Sequence, residues 1–476
     1  MREEEMTQEP HDVVIVGARC AGSPLAALLA RGGLRVAVVE RATFPGDTLS
    51  SHLFETDALA FLHRLGLTAA LRATGAPVVD HTATRVEDVQ LDIALPQRPG
   101  DVGGMMSVRR LLLDPLLAQA AEEAGAEILF GTTVVGLLGD EGRVTGVRIR
   151  DADGAERDLR ARLVVGADGR HSTVAKLVGA RRYNVTPNRR LLYWGFFENA
   201  DHGPRPTFLS HRWGDRFILG IPSDSGLYQV LVWPEKRELD AFRADPQAAL
   251  LDHARACQPL ADALAGARQV GKTLGTISYE GFFRDATGPG WVLAGDAGHF
   301  KSPSPGRGIG DAFIQVERLA PAIVGALGGS GAGSAGSGAG SAGSGAGSAG
   351  SGAGSAGSDA ALDAALRDWG RWRDREFAEH YWLAYDLEDV GAAPAVLVEL
   401  LRGLQRRGQA GLFFDLLNHR ARPMQVLTPP RLLGSVGRLL ASGRVGRGAL
   451  LSELGTLGGQ ELRRRRLNRR PVYEAV

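Results

Sequence analysis

Asp12–Glu40 reads DVVIVGARCAGSPLAALLARGGLRVAVVE. Val13–Val16 is a short β-branched apolar run, the pattern of a strand covered on both faces in a parallel sheet. A turn follows at Gly17. Ala21–Ala30 is rich in alanine and leucine and favours helix. Arg35–Val39 is a second β-branched run, closed by an acid, Glu40. Strand, glycine turn, helix and strand make a βαβ unit of about 30 residues. In such a unit the N–H groups and dipole at the helix start hold a pyrophosphate. The closing acid accepts hydrogen bonds from ribose hydroxyls.

The glycine spacing departs from G-x-G-x-x-G. Gly17 and Gly22 take the first and third positions, and Arg19 stands at the second. The second glycine normally lets the pyrophosphate come close to the backbone. Arg19 therefore points away, or its guanidinium joins the phosphate contacts. Cys20 and Ala21 complete the loop, and Cys20 reads as a small residue at a tight turn rather than a redox thiol. Arg41, next to Glu40, and Ser51 are placed with the loop among the expected cofactor contacts.

The chain has 476 residues and a net charge of +1. That length suggests two or three domains or one composite one. Nothing in the charge balance argues for nucleic acid or an anionic membrane as partners, and no nucleic acid is expected. No apolar run reaches the 18 or so residues of a membrane span, so no integral membrane association is expected. The acidic start Met1-Arg2-Glu3-Glu4-Glu5 does not read as a signal peptide. The only cysteines, Cys20 and Cys257, exclude a disulfide framework and a cysteine-based zinc site, and fit a reducing cytoplasm. No metal site is expected.

Further along, Ser50, Ser51 and His52 lie in a polar loop that either lines a cofactor edge or forms a surface turn capping a helix. Asp57–Leu65 reads as helix, residues 68–107 as irregular with short strand-like pieces, and Val108–Ala124 as an amphipathic helix. Strand pieces at Glu127–Phe130, Thr132–Leu138, Arg143–Arg150 and Arg157–Ala161 suggest an antiparallel meander. Leu163–Val165 then returns as a separate buried strand. Residues 189–235 alternate and carry Tyr193, Trp194, Phe196, Phe197, Phe208, Trp213, Phe217, Tyr228 and Trp233, as expected of a second sheet. Most of these aromatics belong to a core, and those facing the first domain can wall an apolar substrate cavity. Residues 235–269 read as helical, Gly271–Phe283 as extended and Trp291–Ala294 as a buried strand. Residues 328–358 contain only Gly, Ala and Ser, and read as a flexible tether spanning on the order of 30 Å. Helices follow to about 455, and the basic tail at Arg463–Arg466, Arg469 and Arg470 reads as a solvated terminus.

Three ordered stretches then specify a family: the loop unit at 17–40, GADGRHSTVAKLVGA at 166–180 and WVLAGDAGHFKSPSPGRGIGDA at 291–312. Together they resemble the flavoprotein monooxygenases of the p-hydroxybenzoate hydroxylase type, with halogenases and geranylgeranyl reductases as cousins. The resemblance implies an α/β fold: a Rossmann-like FAD-binding domain, an interleaved antiparallel-sheet substrate domain and a helical C-terminal region. The FAD domain would take 10–80, 105–185 and 280–327; the substrate sheet 81–104 and 186–279; the linker 328–358; the helical region 359–476. By position it implies that Gly17 and Gly22 cradle the FAD pyrophosphate and that Glu40 binds the adenosine ribose. Arg110 would contact the flavin phosphate or ribityl region, and Asp168 would serve FAD and NAD(P)H. Gly295 and Asp296 would meet the ribityl chain. Pro303, Gly306, Gly308 and Ile309 would sit beside the flavin ring, where helix N–H groups can stabilise charge on reduced flavin.

The activity so implied is FAD-dependent monooxygenation. NAD(P)H reduces the flavin, oxygen adds at its C4a atom, and an apolar, aromatic or polyunsaturated small molecule of secondary metabolism is hydroxylated or epoxidised. No second nucleotide-binding βαβ motif appears, so NAD(P)H docks transiently or a separate flavin reductase delivers the electrons. The Trp-x-Trp-x-Ile-Pro signature of halogenases is missing. Two rivals stay open: a flavin-dependent reductase of C=C bonds in a prenyl-type substrate, and a non-redox cyclase or isomerase using FAD as scaffold. No catalytic residue is fixed. His52 and His299 are candidate acid–base groups, with His299 expected to be structural. Arg307 is a candidate cation at the flavin, expected to face solvent because arginine is rarely buried unpaired.

Overall fold

A computed structural model describes residues 10–46, 50–328 and 351–474, with only the backbone course described for 351–358. The chain builds two large sheets that lie side by side and share one cofactor-sized problem: how to bring distant loops to a single place.

The first sheet has eight strands. Its parallel part runs Trp291–Leu293, Glu156–Gly166, His11–Val16, Val36–Glu40 and Glu127–Phe130 in spatial order. His11–Val16 is central, buried from Val13 onward, as its β-branched sequence requires. Helices Gly22–Arg31, Arg110–Glu123 and Gly308–Leu327 pack on one face, closing a core with Leu25, Leu29, Leu113, Leu117, Phe313 and Val316.

The meander at Thr133–Asp140 and Arg143–Arg150 pairs with the first half of Glu156–Gly166, and the second half joins the parallel sheet. The sequence reading splits this stretch at Arg162, yet it is one continuous strand. Its burial explains why. Residues 158–161 alternate, as one covered face demands, and Leu163–Gly166 are wholly buried between two layers. No turn residue interrupts the change.

The second sheet has seven strands in the order Arg268–Thr276, Leu192–Glu198, Tyr228–Val232, Arg216–Pro222, Thr207–Trp213, His81–Val86 and Val89–Ala94. It is antiparallel except for one parallel pair, Thr207–Trp213 with His81–Val86. Residues 68–107, read as irregular, supply two of its strands and the helix Thr68–Ala73. One face takes Phe242, Leu250 and Leu260 from the short helices at 239–263 against Tyr193, Phe197 and Tyr228. The other carries Trp194, Phe196, Phe217, Leu219, Leu231 and Trp233 and turns towards Leu53, Met105 and Phe414.

Helix Ser351–Leu387 lies along Gly308–Leu327 and adds Leu362, Leu366 and Trp369 to the first core. It begins inside the stretch read as a tether, so the coil expectation fails for 351–358. Residues 329–350 of that reading lie outside the described residues. The basic tail is not simply solvated: Arg464 forks onto Asp386, and Glu474 pairs with Arg182. Among the described residues, no helix is long and apolar enough to cross a membrane.

Candidate cofactor and substrate site

Three parallel strands end at one edge: His11–Val16, Glu156–Gly166 and Trp291–Leu293. Ligands of open α/β sheets bind beyond such carboxyl ends. The loops there pack without room for side chains. A Cβ on Gly22 would lie 1.7 Å from the Gly17 carbonyl oxygen, and one on Gly17, where φ is +102°, would lie 2.6 Å from that of Ala167. A Cβ on Gly295, at φ +59°, would lie 2.9 Å from that of Ala21. The backbone of one strand end is therefore laid against the next, and helix Gly22–Arg31 starts directly at the junction.

Glu40 is buried at the neighbouring strand end. Its carboxylate accepts the Ala18 N–H at 2.8 Å and the Ala42 N–H at 2.9 Å. It is thus aimed back over the glycine loop, the place of a ribose acid. Arg19 resolves the question its position raises by turning to Asp114, at 3.5 Å, with Phe44 under its guanidinium at 5.8 Å. Asp114 is also forked by Arg110, at 2.6 and 3.0 Å, and receives the Cys20 thiol at 3.9 Å. Burial pushes the Cys20 thiol up to about 12, so it stays a thiol and the small-residue reading stands. Arg41 is exposed and Ser51 half-buried.

Asp168 caps helix Thr173–Leu177, accepting from Ser172 Oγ at 2.5 Å and from the Thr173 N–H at 2.6 Å. Asp296 is different. It sits in a single turn, Gly295–Ala297, that has no side-chain cap. Its carboxylate makes no hydrogen bond among the described residues. Burial raises its pKa to about 6, against the pull of Arg110. The next helix begins only at Gly308, so Asp296 does not cap it.

The loop after it is clamped. Lys301 pairs with Asp311 at 2.5 Å, and Ser302 and Tyr279 both donate to buried Glu388. Gly306 turns at φ +77°, donating to the Pro303 carbonyl, and Ile309 is buried in the first turn of the helix opened by Gly308. Arg307 contradicts the expectation of a solvent-facing cation. It is 1% exposed, bonds Asp57 at 2.8 Å through two nitrogens and Glu55 at 3.0 Å, and lies 3.5 Å from Asp311. Arginine is rarely buried alone, but here three carboxylates receive it. Burial raises Glu55 to about 8, and although burial alone would raise Asp57 too, Arg307 holds it low. Glu55, Asp57, Lys301 and Asp311 were not singled out by sequence; the only local signal was the i, i+4 spacing of Arg307 and Asp311.

His299 is buried between Phe283, Phe377 and Tyr381, and burial holds it well below the usual histidine range, so it is a packing residue. His52 sits elsewhere, on the edge between the two sheets, 1% exposed, with its ring 5.5 Å from Phe196 and 6.5 Å from Trp194. Burial lowers it to about 3, which removes it as a proton shuttle near neutrality.

The glycine cradle, the inward acid Glu40 and the unpartnered Asp296 fit a dinucleotide with a polyhydroxyl chain. The comparisons name it. The FAD binding domain family matches residues 10–255, and this chain belongs to that family as an FAD-dependent oxidoreductase of the monooxygenase class. A menaquinone reductase of Mycolicibacterium smegmatis is 29% identical over 343 residues, 65% of this chain and 75% of that protein. A 6-methylpretetramide 4-monooxygenase of Streptomyces rimosus is 35% identical over 173 residues, 35% of this chain and 40% of that one. The solved myxobacterial chondrochloren halogenase CndH superposes with a TM-score of 0.65 at 21% identity, over 93% of this chain and 99% of that one. That last likeness speaks for the fold alone.

Asp296→Asn keeps the shape and loses the charge, so FAD affinity falls by about 10- to 100-fold, the range of a charged hydrogen bond. The folded pKa of Asp296 lies above its ordinary value, so ionising it costs stability as pH rises through that interval to about 6. Apo Asp296→Asn therefore melts above apo wild type at pH 8, and the gap closes as pH falls from 6 to 4. Calorimetry and FAD titration check both signs. Arg307→Met leaves Glu55, Asp57 and Asp311 without their shared cation and should lower stability by about 3–5 kcal/mol. Urea unfolding measures this, and an unchanged midpoint would show the cluster to be dispensable.

Proposed function

We propose that this oxidoreductase hydroxylates or epoxidises an aromatic or otherwise apolar small molecule, with NAD(P)H as its electron donor. The observation that carries the reading is the sheet face bearing Trp194, Phe196, Phe217 and Trp233. Leu53 belongs to that aromatic cluster and also lies 3.1 Å from the Cβ position of Gly306, so the face adjoins the loop assigned to the flavin ring. Support also comes from the relative named as a monooxygenase of 6-methylpretetramide.

Bound FAD supplies the redox chemistry and oxygen activation. The residues of the chain do the positioning. Gly17, Cys20, Ala21 and Gly22 leave space at the pyrophosphate, Glu40 takes the ribose and Asp296 takes ribityl hydroxyls. The N–H groups at the start of Gly308–Leu327, with Ile309 in the same turn, would stabilise negative charge on the ring without giving up a proton. The clamped loop holds that helix start in place, and the aromatic face excludes water. A separate flavin reductase is the alternative electron source.

A quinone-directed reductase is the second reading, favoured by the relatives named menaquinone reductase. One experiment separates the two. NADPH is mixed anaerobically with holoprotein, and then 1-naphthol with labelled oxygen, or 1,4-naphthoquinone alone, is added. Monooxygenation predicts bleaching by NADPH, reoxidation that needs oxygen, and label in the product. Reoxidation by the quinone without oxygen, with no label incorporated from labelled oxygen, supports the reductase.

A further inference from the structure

His52 is held in an unusual way. Its backbone lies in the left-handed region, at φ 56°, and its own N–H donates to Ser50 Oγ at 3.0 Å. Its ring nitrogen Nδ1 accepts the backbone N–H of Arg110 at 3.0 Å. Arg110 is the first residue of helix Arg110–Glu123, and that N–H has no partner within the helix. An atom that accepts a backbone N–H cannot carry a proton. In the neutral ring the proton is therefore on Nε2, and His52 is a donor there. Nε2 is buried and has no acceptor among the described residues.

Three further donors on the adjoining sheet face, Trp194 Nε1, Gln229 Nε2 and Trp233 Nε1, share this condition. Phe196 and Trp194 lie directly opposite Gln229 and Leu231 on neighbouring strands, so their side chains share one face. Trp194 Nε1 is buried without an acceptor, and so is Gln229 Nε2. The Gln229 carbonyl oxygen is already used, accepting from Ser107 Oγ at 3.0 Å. A buried N–H without an acceptor is costly, and those of His52, Trp194 and Gln229 stand together beside one aromatic wall.

Resting on the reading of this protein as an FAD-dependent monooxygenase, we infer that His52, Trp194 and Gln229 form a donor-only recognition site for a flat aromatic ligand bearing carbonyl or phenolate oxygens. The rings of Trp194 and Phe196 cover the ligand body. His52 is its fixed donor, oriented by the helix start rather than by another side chain, and it transfers no proton. Hydrocarbons without oxygen and ligands presenting only donors are disfavoured, because each leaves the three N–H groups unpaired.

Oxidised holoprotein, without reductant, is titrated with 1,4-naphthoquinone and with naphthalene, following the absorbance difference of the bound flavin. The expected result is a preference of at least about tenfold for the quinone, the size of one buried hydrogen bond. His52→Leu removes the preference by weakening quinone binding only, and His52→Gln, which places an amide N–H near Nε2, restores part of it. Trp194→Phe, which keeps an aromatic wall, lowers quinone affinity and leaves naphthalene affinity unchanged. Equal wild-type affinity for the two probes overturns the inference, as does failure of FAD-loaded protein to bind either. Loss of affinity for both probes alike in His52→Leu makes His52 a shape-filling residue and also overturns it. If His52→Leu does not retain flavin, Trp194→Phe decides: an undiminished preference there refutes the donor site. Wild type that takes up no FAD refutes the flavoenzyme reading instead.

Discussion

Gly22 approaches Gly17 so closely that any side chain would collide with the Gly17 carbonyl oxygen. The site depends on that contact. It seats helix Gly22–Arg31 against the end of strand His11–Val16, and it leaves the loop between them without bulk. Gly17 in turn lies on Ala167, and Ala21 on Gly295, so loops more than a hundred residues apart share one surface. A cofactor along these strand ends would take the space that side chains at the glycines would otherwise fill. The acids Glu40 and Asp296 stand nearby, one engaged by backbone N–H groups and one whose carboxylate has no hydrogen bond among the described residues.

Charge keeps this arrangement rigid on its far side. The loop from Lys301 to Gly308 carries two cations into the interior, and each meets carboxylates there: Lys301 meets Asp311, and Arg307 meets Glu55, Asp57 and Asp311. Such a cluster is weak evidence for stability but strong evidence for a fixed geometry, since breaking one member strands the others. It joins helix Thr56–Leu65 to helix Gly308–Leu327, and His419 of the C-terminal region reaches Asp311 at 3.3 Å. The helix start assigned to the flavin ring is thereby tied to three parts of the chain.

The fold was legible where local pattern and tertiary role agree. The βαβ unit, the buried strand before Asp296 and the aromatic alternation at 189–235 all have a period that only one structure satisfies. The strand Glu156–Gly166 was misread as two because its environment changes midway, which alters the pattern without a turn. Residues 81–94 read only as short strand-like pieces, because their place in the sheet comes from His81–Val86 pairing with Thr207–Trp213, far along the chain, and from Val89–Ala94 pairing back onto His81–Val86. In the site, the glycines and acids could be read because their spacing is local. Arg307 could not, because its three carboxylates converge from 250 or so residues away as well as from one helical turn. His52 was visible as a residue but not as a donor, for its tautomer is set by the Arg110 N–H of a distant helix.

The central claim is that three strand ends build one FAD site. It is tested most directly by removing flavin from the full-length chain and titrating FAD back at micromolar concentration, following quenching of flavin fluorescence. Saturation at one FAD per chain is expected, with a yellow product that retains flavin through gel filtration. A folded chain that stays colourless, or binds FAD no better than riboflavin lacking the pyrophosphate and adenosine, would contradict it.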